Sequence, residues 1–357
     1  MAASSLLSCD IFCRVVDNFG DIGVSWRLAR QLANERGIEV RLIVDDSTSL
    51  KKITAGLEID DNVQWCGISD ITDWNAATVL DVANIVIEAF ACKLPDEYVE
   101  KMASSAKKTL WINLEYLSAE PWITEHHLLP SPHPCYPLTK YFFFPGFQSG
   151  TGGLIREASV LPCTRPVVRT SVEVEYRVFV FGYDSPRAMP LLDAINRTSS
   201  VYSITIPEGA LADAAKRIPL TKLDVVPFVP QIVFDSVLAK HDILFVRGED
   251  SFVRALYAAK PLVWQIYPQE GGAHMLKLDA FLALYCRGLT NEGEAALRAI
   301  WFAVNEGAGD GLVVAWQNFL KSLPELKCHA EKWQKQLLLR ADLVTNLMTF
   351  YEKFLKI

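Results

Sequence analysis

Two short turns carry the residues of this chain whose types and spacing could do chemistry. The first, Asp17-Asn-Phe-Gly-Asp21, sets two carboxylates four residues apart around a glycine. A carboxylate held beside a helix start and hydrogen-bonded to its neighbour can serve as a general base. Asp is also a favoured helix N-cap, which gives Asp21 an alternative, purely structural use; Asp17, at a strand end, has no such role. The second turn, Arg247-Gly-Glu-Asp-Ser251, places a guanidinium, two acids and a hydroxyl around Gly248, which permits close approach of backbone to a ligand. Arg247 could pair with phosphate, and Glu249 or Asp250 could accept from ribose hydroxyls. Ser251 suits a helix N-cap, leaving neighbouring amides for a diphosphate. A salt-bridged helix start is the plainer alternative, but four polar groups exceed what capping needs. Phe19 and Phe252 sit at the same turns and could form a platform for a base or sugar.

A third turn, Pro268-Gln-Glu270-Gly-Gly-Ala-His274, brings another acid and a histidine to a strand end. His126, His127 and His133 match no zinc spacing and read as loop residues. The first turn lacks the G-x-G-x-x-G spacing of a dinucleotide site, so a nicotinamide cofactor is not indicated. The eight cysteines contain no C-x-x-C pair and mostly lie in apolar runs, which suits buried thiols in a reducing cytoplasm.

The elements that must position these turns alternate along the chain. Strands are expected at Ile11–Val16, Val40–Val44, Val63–Cys66, Asn84–Phe90 and Thr109–Tyr116, with helices at Val24–Asn34 and Pro95–Ala106. Residues 118–170, rich in Pro and Gly, read as irregular edge loops and a linker. The alternation then restarts. Strands are expected at Tyr176–Phe181, Val201–Ile206, Leu223–Phe228, Ile243–Val246 and Leu262–Tyr267, and helices at Pro186–Asn196, Ile232–Ala239 and Phe252–Ala259. Helices His274–Tyr285, Glu292–Val304, Trp316–Leu339 and Ala341–Lys356 close the chain. Such alternation makes an α/β protein with parallel sheets. Each turn would then lie at a sheet's carboxyl edge, beside the positive end of a helix, where phosphate binds.

The chain has 357 residues, half of them hydrophobic and 22% charged, which fits about two ordinary domains. Its formal charge of −7 argues against nucleic acid and anionic membrane surfaces and suits a basic protein partner. Leu6-Leu-Ser-Cys9 looks superficially like a lipoprotein cleavage site, but no Lys or Arg precedes it and its apolar segment is short. No apolar run approaches the ~20 residues a membrane span needs.

At these residues the sequence resembles a known family. Asp17-Asn-Phe-Gly-Asp-Ile-Gly-Val24, Leu114-Glu-Tyr-Leu-Ser-Ala119, Gly152-Gly-Leu-Ile-Arg156, Pro227-Phe-Val-Pro-Gln231, Val246-Arg-Gly-Glu-Asp-Ser-Phe-Val-Arg254 and Ile266-Tyr-Pro-Gln269 look like the bacterial protein-arginine rhamnosyltransferases of the EarP family. The resemblance implies a GT-B fold: two Rossmann-like domains facing across a cleft, residues 1–168 for the acceptor and 169–340 for the nucleotide-sugar. Residues 341–357 would form a last helix able to cross back onto the first domain. It implies an inverting transfer of rhamnose from dTDP-β-L-rhamnose to an arginine of translation elongation factor P, without a cofactor or metal. It implies Asp17 and Asp21 as catalytic aspartates, Asp21 being the base, and Glu270 as a catalytic group helping to hold the donor. Asn18, Phe19, Gly20, Tyr183, Gln231, Arg247, Gly248, Glu249, Asp250, Ser251 and Phe252 would line the substrate site.

Two other readings share the fold. A sugar-nucleotide epimerase would act on the donor alone. A non-catalytic scaffold would have no use for Asp17, Asp21 and the donor turn together.

Overall fold

The computed structural model describes residues 7–17, 19–45, 47–55, 63–65, 80–158, 175–184, 188–307 and 311–356. It divides into two compact units, Met1–Val160 with Arg340–Ile357, and Leu161–Leu339.

The first unit runs β1 (Ser8–Cys13), α1 (Gly20–Arg36), β2 (Glu39–Val44), α2 (Ser47–Ile53), β3 (Val63–Trp65), β4 (Ile85–Ala89), α3 (Asp96–Ser104), β5 (Leu110–Leu114), α4 (Ile123–His126), β6 (Pro130–Pro132) and β7 (Thr139–Phe143). Its sheet has the order β3-β2-β1-β4-β5-β7-β6. Only the outermost pair, β6 with β7, is antiparallel. The strand β1, apolar from Cys9 to Cys13 but for Asp10, is buried over that span, as a central parallel strand must be. It pairs with β2 on one side and β4 on the other. The order of strands therefore reverses beside β1, and a crevice opens outside the carboxyl ends of β1 and β4.

The second unit runs β8 (Tyr176–Val180), α5 (Ala188–Asn196), β9 (Val201–Pro207), α6 (Ala210–Ala215), β10 (Leu223–Val226), α7 (Gln231–Ala239), β11 (Ile243–Arg247), α8 (Asp250–Tyr257), β12 (Leu262–Gln265), α9 (Ala273–Tyr285), α10 (Asn291–Phe302) and α11 (Gly311–Leu338). Its five strands are all parallel, in the order β10-β9-β8-β11-β12. Here the reversal lies between β8 and β11.

The last helix, α12 (Leu343–Phe354), packs on the first unit. Asp342 caps it, its Oδ1 accepting from the Thr345 amide at 3.0 Å. The Gln31 side chain of α1 donates to the same carboxylate at 3.2 Å. The Gly152-Gly-Leu-Ile-Arg156 motif passes beneath this junction. The Leu343 amide donates to Leu154 O at 2.8 Å, and a side chain on Gly153 would run into Ala341 O at 2.8 Å. Arg27 of α1 forms a buried ion pair with Glu157 at 2.6 Å. That motif thus clamps α1 and α12 together rather than reaching toward a ligand.

Sequence reasoning missed five short elements, β7 among them. The run Thr139–Phe143 lies amid prolines and reads as loop, yet it pairs in parallel with β5. The other four, α2, α4, α6 and β6, are too short to show a period.

Candidate active site

In the first unit, β1 delivers the chain to the crevice and α1 takes it away. The helix opens at Gly20, with Phe19 at the N-cap and no side chain capping it. Asp21 therefore lies inside the first turn, and capping is not its role. Its Oδ2 instead reaches back over the turn and accepts from the Val16 amide at 2.8 Å and the Asp17 amide at 2.9 Å. The turn is pinned from the far side by Asp45, at the end of β2, which accepts from the Val15 amide at 2.9 Å. The Gly20 amide closes the turn onto Asp17 O at 2.6 Å. A Cβ on Gly20 would overlap Asp17 Oδ2 and lie 3.0 Å from its Cγ. Gly20 is thus the space in which the Asp17 carboxylate rests. Asn18 lies outside the described residues.

Asp21 is buried, 3% exposed, whereas Asp17 and Phe19 are half-buried. Burial pushes the Asp21 carboxyl above its ordinary value; the Asp17 and Val16 amides pull it down, the Asp17 charge pushes it up, and the Tyr116 hydroxyl, hydrogen-bonded to it, pulls it down. A carboxylate with a raised proton affinity, beside a second acid at a crevice, has the character of a general base.

In the second unit the Arg247–Ser251 turn joins β11 to α8, flanking the reversal point. Gly248 has φ +61°, and its carbonyl accepts from the Trp264 indole at 2.7 Å, which fixes the left-handed turn against β12. The N-cap of α8 is Glu249, so Ser251 does not cap the helix. Its hydroxyl donates back to Arg247 O and braces the turn. Asp250 accepts from Gln231 Nε2, the first residue of α7, at 2.8 Å. The Arg247 guanidinium lies 4.7 Å from the ring centres of both Phe181 and Tyr183, at the end of β8. Tyr183 is held in turn: its amide donates to Gln265 Oε1 at 2.7 Å, and its ring meets Tyr267 edge-on at 5.7 Å. Arg247, Tyr183, Gln231, Asp250 and Ser251 are therefore brought together.

Phe252 is not. It is fully buried and stacked on Trp264 at 4.0 Å, with Phe281 against its edge. As the third residue of α8 it turns toward the core, so its ring is no platform for a ligand. The aromatic rings beside Arg247 are instead those of Phe181 and Tyr183. Glu270 opens a single 3₁₀ turn, Glu270–Gly272, ahead of α9, and the Gln269 amide donates to His274 Nδ1 at 3.1 Å.

Sequence reading also passed over Asp45, Tyr116, Gln265 and Trp264 as parts of these two turns. Each comes from a neighbouring strand end, so only sheet order reveals it. Among the described residues no group of three or more His, Cys, Asp or Glu is gathered as a metal site would require. No described helix is long and apolar enough to cross a membrane.

Comparison with known proteins agrees with this architecture. The protein-arginine rhamnosyltransferase of Pseudomonas aeruginosa is 40% identical, the match covering 98% of this chain and 100% of that protein. A solved structure described as the basis for EarP-mediated arginine glycosylation of translation elongation factor EF-P superposes with a TM-score of 0.65 at 30% identity, over 97% of this chain and 99% of the other. The glycosyltransferase VinC, solved with dTDP, shares the GT-B fold at 12% identity and a TM-score of 0.55, over 98% and 99% of the two chains. A family model described as Elongation-Factor P (EF-P) rhamnosyltransferase EarP matches residues 9–352. The chain, a GT-B glycosyltransferase, belongs to the EarP family of protein-arginine rhamnosyltransferases.

Proposed function

We propose that this protein transfers rhamnose from dTDP-β-L-rhamnose to an arginine side chain of translation elongation factor P, with inversion at the anomeric carbon. The observation that carries the reading is the Asp17–Asp21 pair: one acid buried with raised proton affinity, the other resting on Gly20 beside it. The second unit holds the donor through Arg247, Tyr183 and the amides at the start of α8, where a diphosphate is stabilised by helix-end N–H groups and a guanidinium. Glu270 is proposed to assist there. No metal or cofactor is invoked.

An arginine is a demanding nucleophile because its guanidinium stays protonated at ordinary pH. In the proposed step Asp17 orients the cation and Asp21 takes one N–H proton. The freed nitrogen pair forms the bond to the anomeric carbon as the bond from that carbon to the diphosphate oxygen breaks, and the electrons leave with dTDP. The acid pair and the chain's net negative charge suit a basic acceptor surface. The reaction belongs in the cytoplasm, with the acceptor.

Intact mass spectrometry of elongation factor P, incubated with the protein and dTDP-rhamnose, tests this. A gain of one rhamnosyl group on arginine is expected. Conversion of the donor to another sugar nucleotide without acceptor would favour an epimerase instead.

A further inference from the structure

The crevice of the first unit has a second wall. The segment after β4, Phe90-Ala-Cys-Lys93, faces the β1 turn across the reversal point of the sheet. Phe90, Ala91 and Lys93 have φ of +56°, +52° and +63°, the left-handed region that side-chain-bearing residues avoid. None of the three is Gly, so the sequence retains side chains where backbone ease alone would favour their loss. The conformation is enforced from several sides. The Phe90 amide donates to Leu114 O at 2.7 Å, the Ala91 amide to Asn113 Oδ1 at 3.2 Å and the Lys93 amide to Glu88 Oε1 at 3.0 Å. The result is a ring stack: Phe90 lies on Tyr116, just past the end of β5, with centroids 4.5 Å apart and planes 20° from parallel. Tyr116 carries a hydroxyl that hydrogen-bonds the Asp21 side chain.

We infer that Tyr116, held by the strained Phe90 segment, is a positioning residue that orients the Asp21 carboxylate for proton transfer. The inference rests on the reading of Asp21 as the base. Donation of a hydrogen bond favours the charged form of a carboxylate and opposes the effect of its burial. Among the described residues, the other groups acting on Asp21 include the Val16 and Asp17 amides, the Asp17 carboxylate, and the Cys13 thiol at the end of β1. Tyr116 is the one donor among them that a substitution can remove without touching the catalytic turn.

The test is the pH dependence of kcat for the full-length protein with elongation factor P. A base that must be ionised gives an acid limb. In Tyr116→Phe that limb should move to higher pH, with a loss of roughly tenfold or more below the wild-type limb that narrows as pH rises. Binding of dTDP should stay unchanged. Phe90→Leu keeps an apolar side chain but no stack, and should move the limb the same way. Carbon-13 NMR titration of the Asp21 carboxyl should show the same displacement directly. An unmoved acid limb and an unmoved Asp21 titration in Tyr116→Phe would overturn the inference, even if Tm falls. Failure of the wild-type protein to modify the acceptor would instead overturn the proposed function.

Discussion

The backbone amide of Asp17 donates to the carboxylate of Asp21 at 2.9 Å, while the Asp17 carboxylate itself rests on the bare Cα of Gly20. Two acids whose charges repel are thus also coupled through one residue's N–H. The same bond orients Asp21 and fixes where Asp17 points, so the pair behaves as one device.

The first prediction concerns that device. Asp21→Asn keeps the shape and removes the proton affinity, so transfer should fall by ~10²-fold or more with donor binding little changed. Asp17→Asn should be severely impaired as well, since both acids are proposed to act on one guanidinium. Steady-state transfer and calorimetric titration with dTDP check both. Near-normal transfer by Asp21→Asn would leave this carboxylate with only its turn-bracing bonds to residues 16 and 17.

Gly20→Ala probes geometry without touching charge. Alanine favours a helix start, so the cost is confined to the overlap with Asp17 Oδ2. The Asp17 carboxylate must swing away. A drop in kcat of roughly tenfold or more is expected, because small misplacements of a reacting group are costly, with Tm within a few degrees of wild type. Retained kcat would mean that the position of Asp17 is not critical.

The raised proton affinity of Asp21 makes a stability prediction with a definite sign. A carboxyl whose folded-state affinity is raised is favourable when protonated, and that favourable contribution is lost as pH rises from the ordinary carboxylate range through the raised folded value. Near neutral pH the wild-type protein therefore bears a burial penalty that Asp21→Asn lacks. The variant should melt no lower than wild type at pH 7, and any advantage should close as pH falls into the carboxylate range. Thermal melts across that range decide it. A variant less stable at neutral pH than in acid, relative to wild type, would contradict the burial account.

Much of the fold was legible because parallel strands buried on both faces read as unbroken apolar runs, as in Ile85–Ile87 and Ile243–Val246. The two turns were legible because glycine and acids cluster at strand ends. What could not be read was which strand end lies beside which. Tyr116 follows β5 and Asp21 follows β1, ninety-five positions apart, and they meet only because β4 intervenes in the sheet. Phe252 misled for a related reason. It sits at the turn in sequence, but one helical step beyond Ser251 rotates its ring onto Trp264. Ser251 likewise looked like a cap because helix boundaries read from sequence slip by a residue or two.

The donor turn gives the next prediction. Arg247→Ala removes the guanidinium stacked between Phe181 and Tyr183, and Ser251→Ala removes the hydroxyl that braces Arg247 O. Both should weaken dTDP binding, Arg247→Ala more, because it removes a charge as well as a brace. Calorimetric titration with dTDP alone reports this without the acceptor. Unchanged affinity in both variants would place the diphosphate elsewhere.

The last prediction concerns the acceptor. The chain carries a net charge of −7 and is proposed to act on one arginine of a folded protein. Complementary charge chiefly raises the rate of encounter and is screened by salt, whereas a diphosphate bound at a helix end is held by short-range bonds. KM for elongation factor P should therefore rise more steeply with ionic strength than KM for dTDP-rhamnose. A guanidinium presented on a folded domain also brings remote contacts, whose binding energy can hold it against the Asp17–Asp21 pair in a reactive geometry. A short arginine peptide lacks those contacts and should show a kcat/KM lower by ~10²-fold or more, with much of the loss in kcat rather than in KM alone. Competition kinetics between peptide and folded domain at two salt concentrations measures both effects. Equal kcat/KM for the two substrates would mean that the enzyme reads the arginine and its immediate sequence, and that no docking surface beyond the catalytic turn contributes.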